Sequence, residues 1–163
     1  LPLGLRLAHA LGLTGAAFLA GKTFAQSFSA VPAMLHAPAP LLARQWKTMF
    51  TSDKLLAPAI VLVSGSIFGY FAYRDSMALL PGRLYAASAA LLVLNVPYSF
   101  FCLEPINRKL EVRAARLSRA GIAGDNAEVE AMEFPQQETV HQLVDRWATV
   151  NLGRSVLSIL AAL

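Results

Sequence analysis

Two uninterrupted apolar stretches constrain this chain more than any other feature. Residues 55–73, LLAPAIVLVSGSIFGYFAY, and 84–103, LYAASAALLVLNVPYSFFCL, contain no charged side chain. Each reaches the roughly 17 to 25 residues that a helix needs to cross a bilayer. Lipid offers backbone N–H and C=O groups no partners, so such a stretch must close its own hydrogen bonds as a helix. Small residues at Ser64, Gly65, Ser66 and Gly69 would let a neighbouring helix approach closely. Two further apolar runs carry polar interruptions: 11–35 holds Lys22, Gln26, Ser27 and Ser29, and 147–163 holds Asn151 and Arg154. The first run is longer than the apolar core of about 7 to 15 residues in a secretory signal and holds a lysine, so it reads as a span. The expected fold is all-α: a single membrane domain over 1–163, built as a four-transmembrane-helix bundle.

Composition agrees, with 56% hydrophobic and 15% charged residues gathered into blocks rather than alternating as in a water-facing sheet. The net charge of +4 has no basic stripe with interleaved aromatics behind it, so the expected partner is the lipid bilayer and not nucleic acid. Cys102 is the single cysteine, which rules out an intramolecular disulfide and a cysteine-rich metal site. Arg44, Lys47 and Lys54 fall between spans one and two, and Arg108, Lys109, Arg113, Arg116, Arg119 and Arg146 between spans three and four. Only Arg6, Arg74 and Arg83 oppose them, so both termini are expected on the non-cytosolic side. Beyond span three, 104–146 is expected to be extramembrane. Leu110, Ala114, Leu117 and Gly121 recur there at helical spacing among arginines, as in an amphipathic cytosolic segment, and GIAGDNAEVEAMEFPQQE reads as a loop.

Polar groups inside the spans carry the chemistry. Trp147, Asn151 and Arg154 are spaced to share one helical face, and an arginine within a span is expected to face the bundle interior or a water-filled cavity. The competing reading makes Arg154 a structural pair or a snorkelling cation and Trp147 an interfacial belt residue. Lys22 and Gln26 lie one turn apart, with Ser29 continuing the stripe and Ser27 to its flank; Lys22 reads equally as snorkelling. Asn95, Tyr98 and Cys102 form another one-sided set, for which helix-packing glue is the ordinary explanation. Pro105 removes a backbone donor, so span three should kink or end there, leaving Asn107 to cap freed backbone or orient a ligand.

PYSFFCLEPINRKL followed about forty residues later by LVDRWATVNLGRS, together with AGKTFAQSFSAVPAML, RQW and LLAPAI in the same order, resembles the DUF1772 family of small four-span membrane proteins. That family includes the fungal anthrone oxygenases. The resemblance implies oxidation of a polyketide anthrone to an anthraquinone by dioxygen, with no cofactor and no metal, in the endoplasmic reticulum or another endomembrane. His9, His36 and His141 lie near segment ends, not stacked as ligands. Such a reaction needs an apolar slot for a planar aromatic substrate, a base, and positive charge for the resulting enolate. On this reading Arg154 stabilises the oxyanion, Asn151 and Asn107 orient the substrate oxygens, and Trp147 and Tyr98 stack on the rings. Trp46 would stand near the entrance, with Gln26 and Asn95 also contacting substrate. Lys22 is the first candidate base, with His141 and Glu104 as competitors. A non-catalytic membrane scaffold and a hydrophobic small-molecule carrier remain the alternatives, and a homodimer would enlarge the limited interior.

Overall fold

The computed structural model describes residues 2–119, 130 and 137–163. Among them the chain is all-α, with α1 (Leu3–Ala25), α2 (Val31–Met34), α3 (Ala39–Asp53), α4 (Leu56–Arg74), α5 (Leu80–Tyr98), α6 (Glu104–Arg119) and α7 (Val140–Ala162). Proline and capping residues set several starts. Pro38 and Pro40 open α3, and Pro81 opens α5, at positions where a missing N–H is harmless. Thr139 and Gln142 form a reciprocal capping box at the start of α7. Between α4 and α5 the chain turns through Ser76 at φ 63°, and a Cβ on Gly82 would run into the Ser76 carbonyl.

Two π-helical turns, Gln26–Ala30 and Ser99–Leu103, join α1 to α2 and α5 to α6. Each lies just before a proline, Pro32 and Pro105 respectively. A proline ring clashes with the carbonyl four residues back. The wider turn, closed by Val31 N–H on Gln26 O and by Glu104 N–H on Ser99 O, inserts a residue and lets the helix continue. The expectation that span three could end at Pro105 is therefore corrected: helix runs through the proline as far as Arg119.

Three helical stretches, Leu3–Met34, Ala39–Arg74 and Leu80–Arg119, are long and apolar enough to cross a membrane. They exceed the expected spans because helix extends past the apolar runs at several ends. The segment holding Arg44 and Lys47 is itself a helix, α3, which the apolar pattern did not reveal. Its inner face buries Leu42, Ala43 and Trp46, while Arg44 is exposed. α6 likewise buries Leu110, Ala114 and Leu117, the helical stripe read from the sequence. Gly121 and most of the expected loop GIAGDNAEVEAMEFPQQE lie outside the described residues.

α1, α4, α5 and α7 pack side by side, and α3 and α6 pack on the N-terminal half of α7. Two apolar cores result. One gathers Leu42, Trp46, Ile106, Leu110, Leu143 and Trp147; the other gathers Ala16, Leu19, Val61, Phe68, Leu92 and Ala161. Between these cores the inward-facing residues are polar: Thr23, Gln26 and Ser27 on and just after α1, and Asn151, Ser155 and Ser158 on α7. The outer faces of the bundle are apolar too, with Leu62, Leu84, Phe101 and Val156 mostly exposed. That inversion of the water-soluble pattern suits a lipid surround.

Candidate functional site

The polar layer is built first by α1 and α7. Ser155 Oγ donates to Thr23 Oγ1 at 2.9 Å, and Thr23 Oγ1 donates to Leu19 O at 2.8 Å. Asn151 Nδ2 donates to Thr23 O at 3.2 Å and to Ser27 Oγ at 3.0 Å. Interhelical hydrogen bonds in membranes average about 0.6 kcal/mol each. Their larger effect is geometric, because they lock the register of α7 on α1 and leave Asn151 Oδ1 to accept from Arg154 Nη1 at 3.4 Å.

Asp53 closes the layer from the end of α3. It is buried, ion-paired with Lys22, and its Oδ2 accepts from Gln26 Nε2 at 3.4 Å. Its negative charge also acts on Arg154. Beside this cluster is a cavity of about 290 Å³, near the lower end of the roughly 300–1,000 Å³ usual for small-molecule sites. Trp147, Phe50, Val96, Phe100 and Leu103 supply apolar wall; Gln26, Asp53, Asn107 and Arg154 supply the polar groups. Lys22 and Arg154 set two cations against one buried carboxylate. An anion in the cavity would balance that excess, and Arg154 Nε is buried without a hydrogen-bond partner.

The structure brings together part of the residue set read from the sequence. Arg154, Asn107, Trp147 and Gln26 line the cavity, and Asn151 lies behind Arg154 as its support. Trp147 Nε1 donates to Asn107 Oδ1 at 2.9 Å, so the Asn107 amide orients an indole and does not cap freed backbone. Lys22, the first candidate base, is ion-paired with Asp53 and does not itself line the cavity. Trp46 is fully buried, edge-on to Trp147 at 6.2 Å between ring centroids, and is a wall support rather than an entrance residue. Tyr98 does not share the cavity with Trp147. Its hydroxyl donates to Val150 O at 2.7 Å, and its ring lies so close to Gly153 that a Cβ there would collide with it.

Asn95 is buried with Nδ2 on Leu91 O at 3.2 Å, off the cavity wall, while Tyr98 and Cys102 face an outer groove. The expected one-sided set on span three is thus split. The stripe on span one also changes: Ser27 turns inward to Asn151, while Ser29 is exposed and bonds Ala25 O. A π turn alters the angular step per residue, so a 3.6-residue extrapolation fails beyond Gln26. Of the competing bases, His141 Nε2 lies 2.9 Å from Ala37 O, away from the cavity, and Glu104 on the rim pairs with Arg108 at 3.0 Å.

Asp53 went unread because it sits in a charged stretch resembling an ordinary membrane flank. A signal was present, since it is the first acidic residue of the sequence and lies two residues before an apolar run. Among the described residues, no group of three His, Cys, Asp or Glu side chains converges as metal ligands would.

Comparison with known proteins bears on what such a cavity is for. The chain is 26% identical to anthrone oxygenase encC of Aspergillus fumigatus, across 94% of this chain and 91% of that protein. It is 26% identical to noranthrone monooxygenase of Aspergillus flavus, covering 88% of this chain and 64% of the relative. A third relative, monooxygenase hypC of Dothistroma septosporum, is 26% identical over 71% of this chain and 63% of its own length. No solved structure matches the chain. The anthrone oxygenase family matches residues 46–163, which include Asp53, Asn107, Trp147, Asn151 and Arg154. The chain therefore belongs to the anthrone oxygenase family, a family of oxygenases.

Proposed function

We propose that this chain oxidises a polyketide anthrone to the corresponding anthraquinone with dioxygen, in the cavity beside Arg154 and without a resident cofactor. The observation that carries the reading is the pairing of a flat aromatic wall with a half-buried cation: Trp147 and Arg154 line one small cavity, and the guanidinium is only partly engaged by protein. Losing a benzylic proton turns an anthrone into a planar anion whose charge rests on its oxygen. A fixed cation in a low-dielectric cavity favours that anion far more than it favours the neutral ketone. The anion transfers an electron to dioxygen, and the two radicals recombine through a new C–O bond to a peroxide. Loss of water then leaves the carbonyl, with one oxygen atom in the quinone and the other in water.

Asn151 holds Arg154 and Asn107 holds the Trp147 ring, so both act by aiming the groups that meet substrate. Gln26 supplies an amide whose Oε1 is buried without a partner. The chain works as one four-span domain, with α7 as the fourth span and both termini on the non-cytosolic face of an endomembrane. Val96 and Phe100 line the cavity and are 56% and 62% exposed, so the opening lies sideways toward lipid, where a hydrophobic tricycle would partition.

The test is to purify the protein in detergent, add an anthrone under air, and follow quinone absorbance with oxygen uptake against a heat-inactivated control. One dioxygen consumed per quinone, with one labelled oxygen atom incorporated from ¹⁸O₂, supports the reading. Tight anthrone binding without oxygen consumption would make the chain a carrier, and neither binding nor turnover would leave a scaffold.

A further inference from the structure

We infer that Asp53 is the group that accepts the substrate's benzylic proton. The assignment rests on the anthrone reading of the cavity and names a residue for the step that reading leaves open. Whereas the other lining carboxylate, Glu104, is paired with Arg108, Asp53 lines the same cavity as Trp147 and Arg154 and is held there by Lys22 and Gln26. Its partners leave it able to accept. Lys22 holds Oδ1, whereas the Gln26 contact to Oδ2 is long at 3.4 Å, so a lone pair on that oxygen remains available toward the cavity.

The charge balance favours this route over an uncharged amine or water. When the C–H bond breaks heterolytically, its proton forms an O–H bond on Asp53, and the electron pair moves through the ring to the substrate oxygen facing Arg154. Negative charge then migrates from one oxygen to another inside the same cavity, and the total buried charge does not change. A neutral base would instead create a new ion pair in low dielectric, which is unfavourable unless its geometry is excellent. Lys22 and Arg154 face Asp53 from α1 and α7, while Lys54 and Glu104 lie on the cavity rim, with Glu104 engaged by Arg108. Lys22 is thereby a positioning residue: it holds the carboxylate at the wall.

The test isolates proton transfer from oxidation. Purified protein is mixed, without oxygen, with an anthrone deuterated at its methylene carbon, and loss of deuterium to water is followed by mass spectrometry. Binding of the product quinone is read separately from quenching of tryptophan fluorescence. Wild type is expected to accelerate exchange over the heat-inactivated control. Asp53→Asn is expected to slow the enzymatic exchange by roughly 100-fold or more, the usual scale for loss of a general base, with quinone affinity within about threefold. Because Asp53→Asn strands the Lys22 ammonium, the double variant Lys22→Gln/Asp53→Asn is measured alongside it and is expected to fold, bind and fail to exchange. Retained exchange in a folded Asp53→Asn protein, or loss of quinone binding in both variants, overturns the assignment. A wild type that neither exchanges nor oxidises anthrone would instead defeat the underlying reading of the cavity.

Discussion

The indole N–H of Trp147 on α7 donates to the side-chain carbonyl of Asn107 on α6 at 2.9 Å, joining two helices at the wall of the cavity. The bond lies where the core around Trp46 and Leu143 meets the polar layer, so it fixes the ring that a flat substrate would stack against. Asn107→Ala leaves a buried N–H without an acceptor, at about 1–3 kcal/mol. The expected result is a lower melting temperature in detergent and a raised KM for anthrone, with a changed tryptophan emission spectrum reporting the freed ring.

Arg154 is the guanidinium on the cavity wall, and its planar fork meets both Asn151 and the cavity space. A lysine keeps the charge but offers neither the fork nor the same reach. Arg154→Lys is expected to lower kcat by about 10²-fold, the scale seen when one oxyanion donor is removed, with a smaller effect on product affinity. Near wild-type turnover in correctly inserted Arg154→Lys protein would reject its role.

Pro105 and the π turn before it place Ser99, Leu103 and Asn107 on the cavity together. With alanine at 105 the backbone N–H returns, and a regular helix becomes available to Ser99–Leu103. Pro105→Ala is expected to keep or raise thermal stability while reducing turnover at least about tenfold, since removing the inserted residue rotates one wall by about 100°. Unchanged turnover would show that the cavity does not depend on that turn.

Just ahead of α7, Glu138 bridges Lys109 of α6 at 3.2 Å and Arg146 of α7 at 3.2 Å. The hydrogen bond from Lys109, with the charges of Lys109 and Arg146, holds its carboxyl below the ordinary value of 4.5. A depressed folded-state value means that the stabilisation is fully present above about pH 4.5 and is lost as pH falls through the folded-state value. Glu138→Gln is therefore expected to lower the melting temperature slightly at neutral pH, by an amount that shrinks with added salt. The difference from wild type should vanish under strong acid, and a difference that persists there would assign the effect to packing.

Much of the site was legible in one helix. Trp147, Asn151 and Arg154 recur at a spacing that α-helical geometry converts directly into a shared face, and a polar face on an apolar helix points inward. On α7 that logic held. It failed beyond Gln26, where a π turn changes the rotation per residue; on span three Asn95 and Tyr98 part within regular α5, because each meets a different neighbouring surface.

The sequence by itself determined that the chain is helical and suited to a bilayer, since charge-free runs of that length have no other way to satisfy their backbone in lipid. It also determined which helix carries the cation. Only the tertiary structure decided which carboxylate joins the polar layer: Asp53 lies 31 residues from its partner Lys22, on a helix whose polar exterior hid its buried face. A pairing across three helices depends on their packing angles and register, and no local pattern along one chain segment encodes those.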